Sequence, residues 1–147
     1  MAPTIVELLV SPKCYVTGAS ALSLPSDTGF PALWYSHALA NPESWQLAGV
    51  HINGAIEILG LEGIWDASEQ LSPHLQQTCT VMAASHERAV FDLLFHFSHL
   101  RTCEIPNFRF SDIDDVVEKG LILRWIESNE RGFDPLGVQL MKRWLDS

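Results

Sequence analysis

Residues 72–100 read SPHLQQTCTVMAASHERAVFDLLFHFSHL. Apolar side chains recur along this stretch at steps of three or four residues, the spacing of one face of an α-helix. Ser72 is a suitable N-cap and Pro73 suits the first helical position, so we predict a single amphipathic helix of about seven turns. The alternative is a helix that begins after a break at Ser85, itself a suitable N-cap. The stripe comprises Leu75, Cys79, Met82, His86, Ala89, Leu93, Phe97 and Leu100.

The chain before this stretch has the pattern of β-strands. Asn53-Gly54 lies between two apolar runs, and this dipeptide accepts the positive φ angles of a type I′ hairpin turn. Short apolar or β-branched runs that end at turn residues indicate further strands. The predicted strands are Ile5–Val10, Tyr15–Leu24, the hairpin arms Val50–Ile52 and Ala55–Leu59, and a bent strand at Ile64-Trp65.

Two more helices are predicted after residue 106. Ser111 precedes acidic residues that complement the positive end of a helix dipole, and Asp134-Pro135 starts the last helix. Strands followed by helices predict an α+β fold, with an N-terminal antiparallel sheet and three helices packed on one of its faces. We expect a single domain over residues 1–147, mainly β in 1–70 and mainly α in 72–147.

The charge distribution is the main functional clue. The formal net charge is −9 at pH 7, and no lysine or arginine lies between Lys13 and Arg88. Such a surface repels phosphate backbones and attracts basic groups, so we predict a basic protein partner and no direct binding of nucleic acid. The acids in this gap are Asp27, Glu43, Glu57, Glu62, Asp66, Glu69 and Glu87.

The composition indicates whether the chain folds, whether its thiols are reduced, and where in the cell it is located. Hydrophobic residues make up 47% of the chain, which favours an ordered core over a disordered acidic tail. Cys14, Cys79 and Cys103 are odd in number and widely spaced, a pattern typical of reduced thiols. Neither a signal-peptide pattern nor a membrane-length apolar run is present. We therefore predict a cytoplasmic protein without a membrane contact.

The aromatic residues Trp34, Tyr35 and Trp45 lie in the stretch without lysine or arginine and indicate a surface that contacts a partner protein. Tryptophan and tyrosine among acids combine anchoring area with electrostatic steering. The alternative is that Trp34 and Trp45 fill the end of the sheet as core residues. The predicted partner-binding residues are Trp34, Tyr35, Trp45, Asp27, Glu43, Glu57 and Glu62.

Catalytic and cofactor motifs are weak, and we predict no cofactor. Asp92, His96 and His99 share a helical face and could hold a divalent metal, although a fourth ligand is not evident. The alternative is a solvated face with an Arg88–Asp92 pair. His86 is either a general base in a cleft or, as is more common, a buried and hydrogen-bonded histidine. Cys14 follows Lys13 near a turn and is a candidate for an exposed, reactive thiol, but no family signature surrounds it.

The stretch Ser85–Leu94, together with Gly63–Asp66 and Lys142–Leu145, resembles small proteins of bacterial mobile elements, some of them of antitoxin type. The resemblance covers much of the second half of the chain. It implies a neutralised partner protein and assigns no catalytic residue.

The leading hypothesis is a non-catalytic acidic module that neutralises or inhibits a basic partner, of antitoxin, immunity or inhibitor type. One alternative is a small metal-dependent or histidine-based enzyme. The other is a homo-oligomeric structural protein that uses Ile122, Leu123 and Ile126, which lie off the main apolar face of their predicted helix.

Overall fold

A computed structural model of the chain describes residues 5–9, 14–25, 30–32, 39, 41–52, 55–75, 79–100 and 108–147. These residues form an α+β structure, as predicted, with short helices and a two-stranded antiparallel sheet. The helices are α1 (Ile5–Leu9), α2 (Gly18–Leu22), α3 (Ile56–Leu59), α4 (Ser68–Leu71), α5 (His86–Leu100), α6 (Lys119–Ser128) and α7 (Pro135–Leu145), and the strands are β1 (Ile64–Asp66) and β2 (Met82–Ala84).

Helix α5 is the centre of the structure. It packs against α2, β2, α6 and α7, and its residues 88–94 are all buried. A helix that is covered on all sides over these residues leaves no solvated face there. For this reason the polar residues Arg88 and Asp92 are buried together with Val90, Phe91 and Leu94.

The sheet lies beside the start of α5. Strand β1 pairs with β2 in antiparallel register, with Trp65 opposite Ala83, which confirms the strand predicted at Ile64-Trp65. Val16 extends this pairing, because its N–H donates to Met82 O (2.9 Å) and its carbonyl accepts from Ala84 N (2.8 Å). The two strands and Val16 thus bring the beginning of the chain against α5.

The prediction of a seven-turn helix from Ser72 is wrong, and the alternative break at Ser85 is confirmed. Residues 72–75 form a single 3-10 turn and residues 82–84 form strand β2. Ser85 then caps α5, because its Oγ accepts from Arg88 N (3.1 Å). The apolar stripe continued through the break because a buried strand also requires apolar residues, so its spacing did not reveal the change of structure.

The strand predictions before residue 60 are also mostly wrong where the structure describes them, and only single β-bridges remain, at Val16 with Leu47 and Ala83 and at Ile52 with Ala48. Ile5–Leu9 and Gly18–Leu22 are helices, and so is Ile56–Leu59, the second arm of the predicted hairpin. The turn itself, Asn53-Gly54, lies outside the described residues. Short apolar runs occur in buried helices as well as in strands, and tertiary contacts decide between the two.

Of the two C-terminal helices, one is confirmed. Helix α7 starts at Pro135, and Asp134 Oδ1 accepts from Leu136 N (3.2 Å) as an N-cap. The helix predicted from Ser111 is wrong there: Phe110–Asp112 is a 3-10 turn, and α6 begins only at Lys119. Asp112 ends the 3-10 turn, and Asp114 and Asp115 lie in the segment between that turn and α6.

Two glycines provide a matched test of packing. Gly49 (φ +81°) and Gly63 (φ +80°) both require a left-handed backbone. A Cβ at Gly49 meets no atom within 4 Å, whereas one at Gly63 lies 2.9 Å from Arg88 Cβ. Both alanine variants pay the left-handed penalty of about 1–2 kcal/mol. We expect Gly63→Ala to lower the free energy of unfolding by at least about 1 kcal/mol more, measured by urea denaturation. Equal losses would contradict this packing.

Candidate functional site

The most developed polar constellation in the described residues is a buried ion pair on α5. Arg88 Nε donates to Asp92 Oδ1 at 3.1 Å, and both side chains are 0% exposed. The two residues lie four positions apart, which places them on the same side of the helix. Charges that are removed from water in this way require hydrogen bonds at their remaining polar atoms.

Asp92 receives those bonds from three other places in the chain. Its Oδ2 accepts from Tyr15 Oη (2.7 Å) and Thr17 Oγ1 (2.8 Å), and its Oδ1 also accepts from Ala55 N (3.2 Å). Two hydroxyls, one amide and one guanidinium therefore surround the carboxylate. Both oxygens are fully engaged within the protein.

Arg88 is satisfied in a similar way. Its Nη1 donates to the carbonyls of Gly60 (3.0 Å) and Glu62 (2.6 Å), and its Nη2 donates to Tyr15 Oη (3.0 Å). The guanidinium carbon also lies 5.4 Å from the centre of the Tyr15 ring, within range of a cation–π interaction. Arg88 therefore fixes the backbone of the turn that precedes β1.

The tyrosine links the two charged groups. Burial, and next the negative charge of Asp92, raise the pKa of Tyr15 well above its ordinary value. The phenol thus remains protonated, donating to Asp92 while accepting from Arg88. Because Arg88 and Asp92 have no exposed surface, this network holds chain segments together and offers no atom to a substrate.

The three candidate metal ligands on α5 differ in their surroundings. Asp92 was expected on a polar face, but it is enclosed by the network just described. His96 is half-buried, its pKa is lowered by burial, and its ring lies against Phe97, while the side chain of His99 lies outside what is described. Within the described residues no three histidine, cysteine, aspartate or glutamate side chains are grouped to hold a metal ion.

His86 and Cys14 are both buried. His86 is 2% exposed, and its Nε2 donates to Leu24 O (2.7 Å). This is the hydrogen-bonded arrangement given as the alternative to a general base. The sequence made Cys14 a candidate for an exposed thiol, but it is 7% exposed, and burial raises the pKa of its thiol, so thiolate formation is disfavoured.

The predicted aromatic surface is only partly described. Trp34, Tyr35 and Asp27 lie outside the described residues. Trp45 is 1% exposed, and its Nε1 donates to Leu39 O (3.0 Å). The indole therefore belongs to the core, as the alternative stated, and presents no contact area to a partner in this conformation.

The predicted acids that the structure describes lie at the surface. Glu43, Glu57 and Glu62 are all exposed, and so are Asp66 and Glu69. They belong to separate elements: a 3-10 turn, α3, the turn before β1, the end of β1, and α4. Residues 41–75 therefore present acids from successive elements.

No compensating cation accompanies these acids in the described residues between 14 and 100. Arg88 is the one lysine or arginine in that part, and it is fully buried against Asp92. Burial of this residue extends the cation-free surface beyond the gap visible in the sequence.

The apolar residues suggested for self-association are mainly internal. Ile122 and Ile126 are 0% exposed and belong to the core between α5 and α6, while Leu123 is partly buried. Helix α6 therefore does not present these three residues as an open face.

Sequence reasoning recognised the Arg88–Asp92 spacing but placed the pair in solvent, and it missed Tyr15 and Thr17. A signal was present: Arg88 and Asp92 flank Ala89-Val90-Phe91 and precede Leu93-Leu94. Charged residues four apart within so apolar a segment indicate a buried pair when the helix is central.

Comparison with known proteins found no match to a protein-family model, to a curated protein or to a solved structure. None of the described helices has the length and apolar character required to span a membrane.

The network predicts that removing the charge of the buried Asp92 destabilises the protein far more than removing the charge of an exposed acid. Asp92→Asn leaves the buried guanidinium uncompensated, and we expect it to lower the free energy of unfolding by about 3–5 kcal/mol. The control Glu43→Gln changes the same charge at an exposed site and should cost less than about 0.5 kcal/mol. Urea denaturation followed by circular dichroism measures both, and a small loss for Asp92→Asn would refute the network.

The raised pKa of Tyr15 predicts that the protein loses stability at alkaline pH. Its pKa is higher in the folded than in the unfolded chain, so its contribution is complete below about pH 10 and is lost as the pH rises further. The free energy of unfolding of the wild type should therefore fall more steeply above about pH 10 than that of Tyr15→Phe. Parallel pH profiles of the two proteins would exclude this linkage.

Proposed function

We propose that this chain is a non-catalytic acidic module that binds a basic protein and thereby neutralises or inhibits it. One observation carries the proposal: in the described residues from 14 to 100, the only lysine or arginine is buried with Asp92, whereas five acids are exposed, namely Glu43, Glu57, Glu62, Asp66 and Glu69. A one-sided charge distribution accelerates association with an oppositely charged partner and disfavours other partners.

The C-terminal part of the described chain supplies a contrast. Within residues 108–147 the acids are accompanied by lysines and arginines, and Lys119 Nζ–Asp146 Oδ1 (2.6 Å) and Lys142 Nζ–Glu130 Oε1 (3.3 Å) form ion pairs. That surface has mixed charge, the usual state of a soluble protein. The acidic bias therefore belongs to one part of the chain and is not a general property of its surface.

A protein suits this surface better than a metal ion or a nucleic acid. Acids on successive elements fit an extended set of lysines and arginines. The described residues contain no compact group of three ligands for a metal ion. A phosphate backbone would meet repulsion throughout residues 41–75. A partner whose own function depends on a basic surface would lose access to that surface when the module binds.

Two matched charge variants test the proposal. Glu43, Glu57, Glu62 and Glu69 are changed to Gln in the first. In the control, Asp114 and Asp115 are changed to Asn and Glu118 and Glu127 to Gln. Both variants move the formal net charge from −9 to −5, and all eight side chains are exposed. Each tagged protein is used for affinity capture from its own cells at low and high salt, with mass spectrometry of what is retained.

We expect the wild type and the control to retain one stoichiometric basic protein that the first variant loses. The on-rate of that protein should fall about tenfold or more at high salt, because screening removes electrostatic steering. Equal loss from both variants would show that only net charge matters. Absence of a stoichiometric partner from the wild type at low salt would overturn the proposal.

A further inference from the structure

We infer that the turn at Gly60–Gly63 is the contact element of the acidic surface, with Leu61 inserted into an apolar pocket that lysines or arginines surround on the basic partner. This inference rests on the function proposed above. It adds the residue that supplies apolar contact area, a role that Trp45 cannot fill because it is buried.

Leu61 is the most exposed large apolar side chain in the described structure, at 62%. Its neighbours point inward, since Leu59 is buried and Ile64 is partly buried. The chain thus directs one leucine outward between two apolar residues that pack against the core.

The turn that carries Leu61 is fixed from inside. Arg88 Nη1 donates to the carbonyls on both sides of it, Gly60 O at 3.0 Å and Glu62 O at 2.6 Å. Ile64 N also donates to Leu61 O (3.0 Å). A side chain on a backbone already held in place loses less conformational entropy on binding than one on a loose loop.

The surroundings of Leu61 select the kind of partner. Glu62 adjoins it and Glu57 lies on the helix immediately before the turn, and both are exposed. No exposed lysine or arginine lies in the described residues from 14 to 100. An apolar centre beside carboxylates is complementary to an apolar pocket with a basic rim.

The test uses Leu136 as a matched control, because it is a leucine of similar exposure (54%) in the mixed-charge part of the chain. Position 61 or position 136 of the full chain is replaced by the photo-reactive residue p-benzoylphenylalanine, and adducts are collected after irradiation in the cells of origin. In parallel, Leu61→Ala and Leu136→Ala are compared for melting temperature and for the dissociation constant of the protein retained by the wild type.

We expect an adduct from position 61 with the salt-sensitive protein, its loss in the four-glutamine variant, and none from position 136. Leu61→Ala should raise the dissociation constant about five- to thirtyfold, with an unchanged melting temperature, and Leu136→Ala should leave both unchanged. Retention of that protein without an adduct or affinity loss at position 61 overturns this inference alone. Failure of the wild type to retain any protein overturns the proposed function. An adduct between two copies of the chain contradicts both.

Discussion

A guanidinium without contact to water must be neutralised where it lies, and the placement of Arg88 beside Asp92 imposes that condition on the rest of the structure. The pair draws together the segment at Tyr15 and Thr17, the residue before α3, and the turn before β1. Apolar packing around α5 supplies most of the stabilisation through burial. The ion pair instead specifies which segments meet, because any other arrangement would leave charges or hydroxyls without partners.

Because tertiary contacts both stabilise the fold and specify which segments meet, its helices can be short. Several described helices have only four or five residues, too few to be stable by themselves in water. Such segments keep their conformation through tertiary contacts. The amide of Ala55, which precedes α3, is held by Asp92, and Gln46 Oε1 accepts from Ala19 N (2.7 Å) near the start of α2.

Local patterns predicted the parts of the fold that local chemistry decides. The cap and proline at Asp134-Pro135 located α7, and the apolar pair Ile64-Trp65 located β1. The charge gap likewise identified exposed acids. The predictions that failed concerned segments whose structure depends on distant contacts. Strand β2 formed within the apolar stripe before Ser85, where a helix was predicted. Short apolar runs near the start of the chain formed helices, where strands were predicted. The burial of Arg88 and Asp92 depended on residues 73 to 77 positions away, which the spacing within one helix does not reveal.

The inward position of Arg88 has a consequence for proteolysis. Trypsin cleaves after lysine and arginine, and the chain offers no such residue from position 14 to position 87. The next basic residue, Arg88, is in the middle of the core. Cutting at Arg88 therefore requires that α5 separate from its neighbours, so the rate of this single cleavage reports how often the core opens. Trypsin therefore leaves residues 14–88 joined to the remainder of α5 for as long as that network is closed.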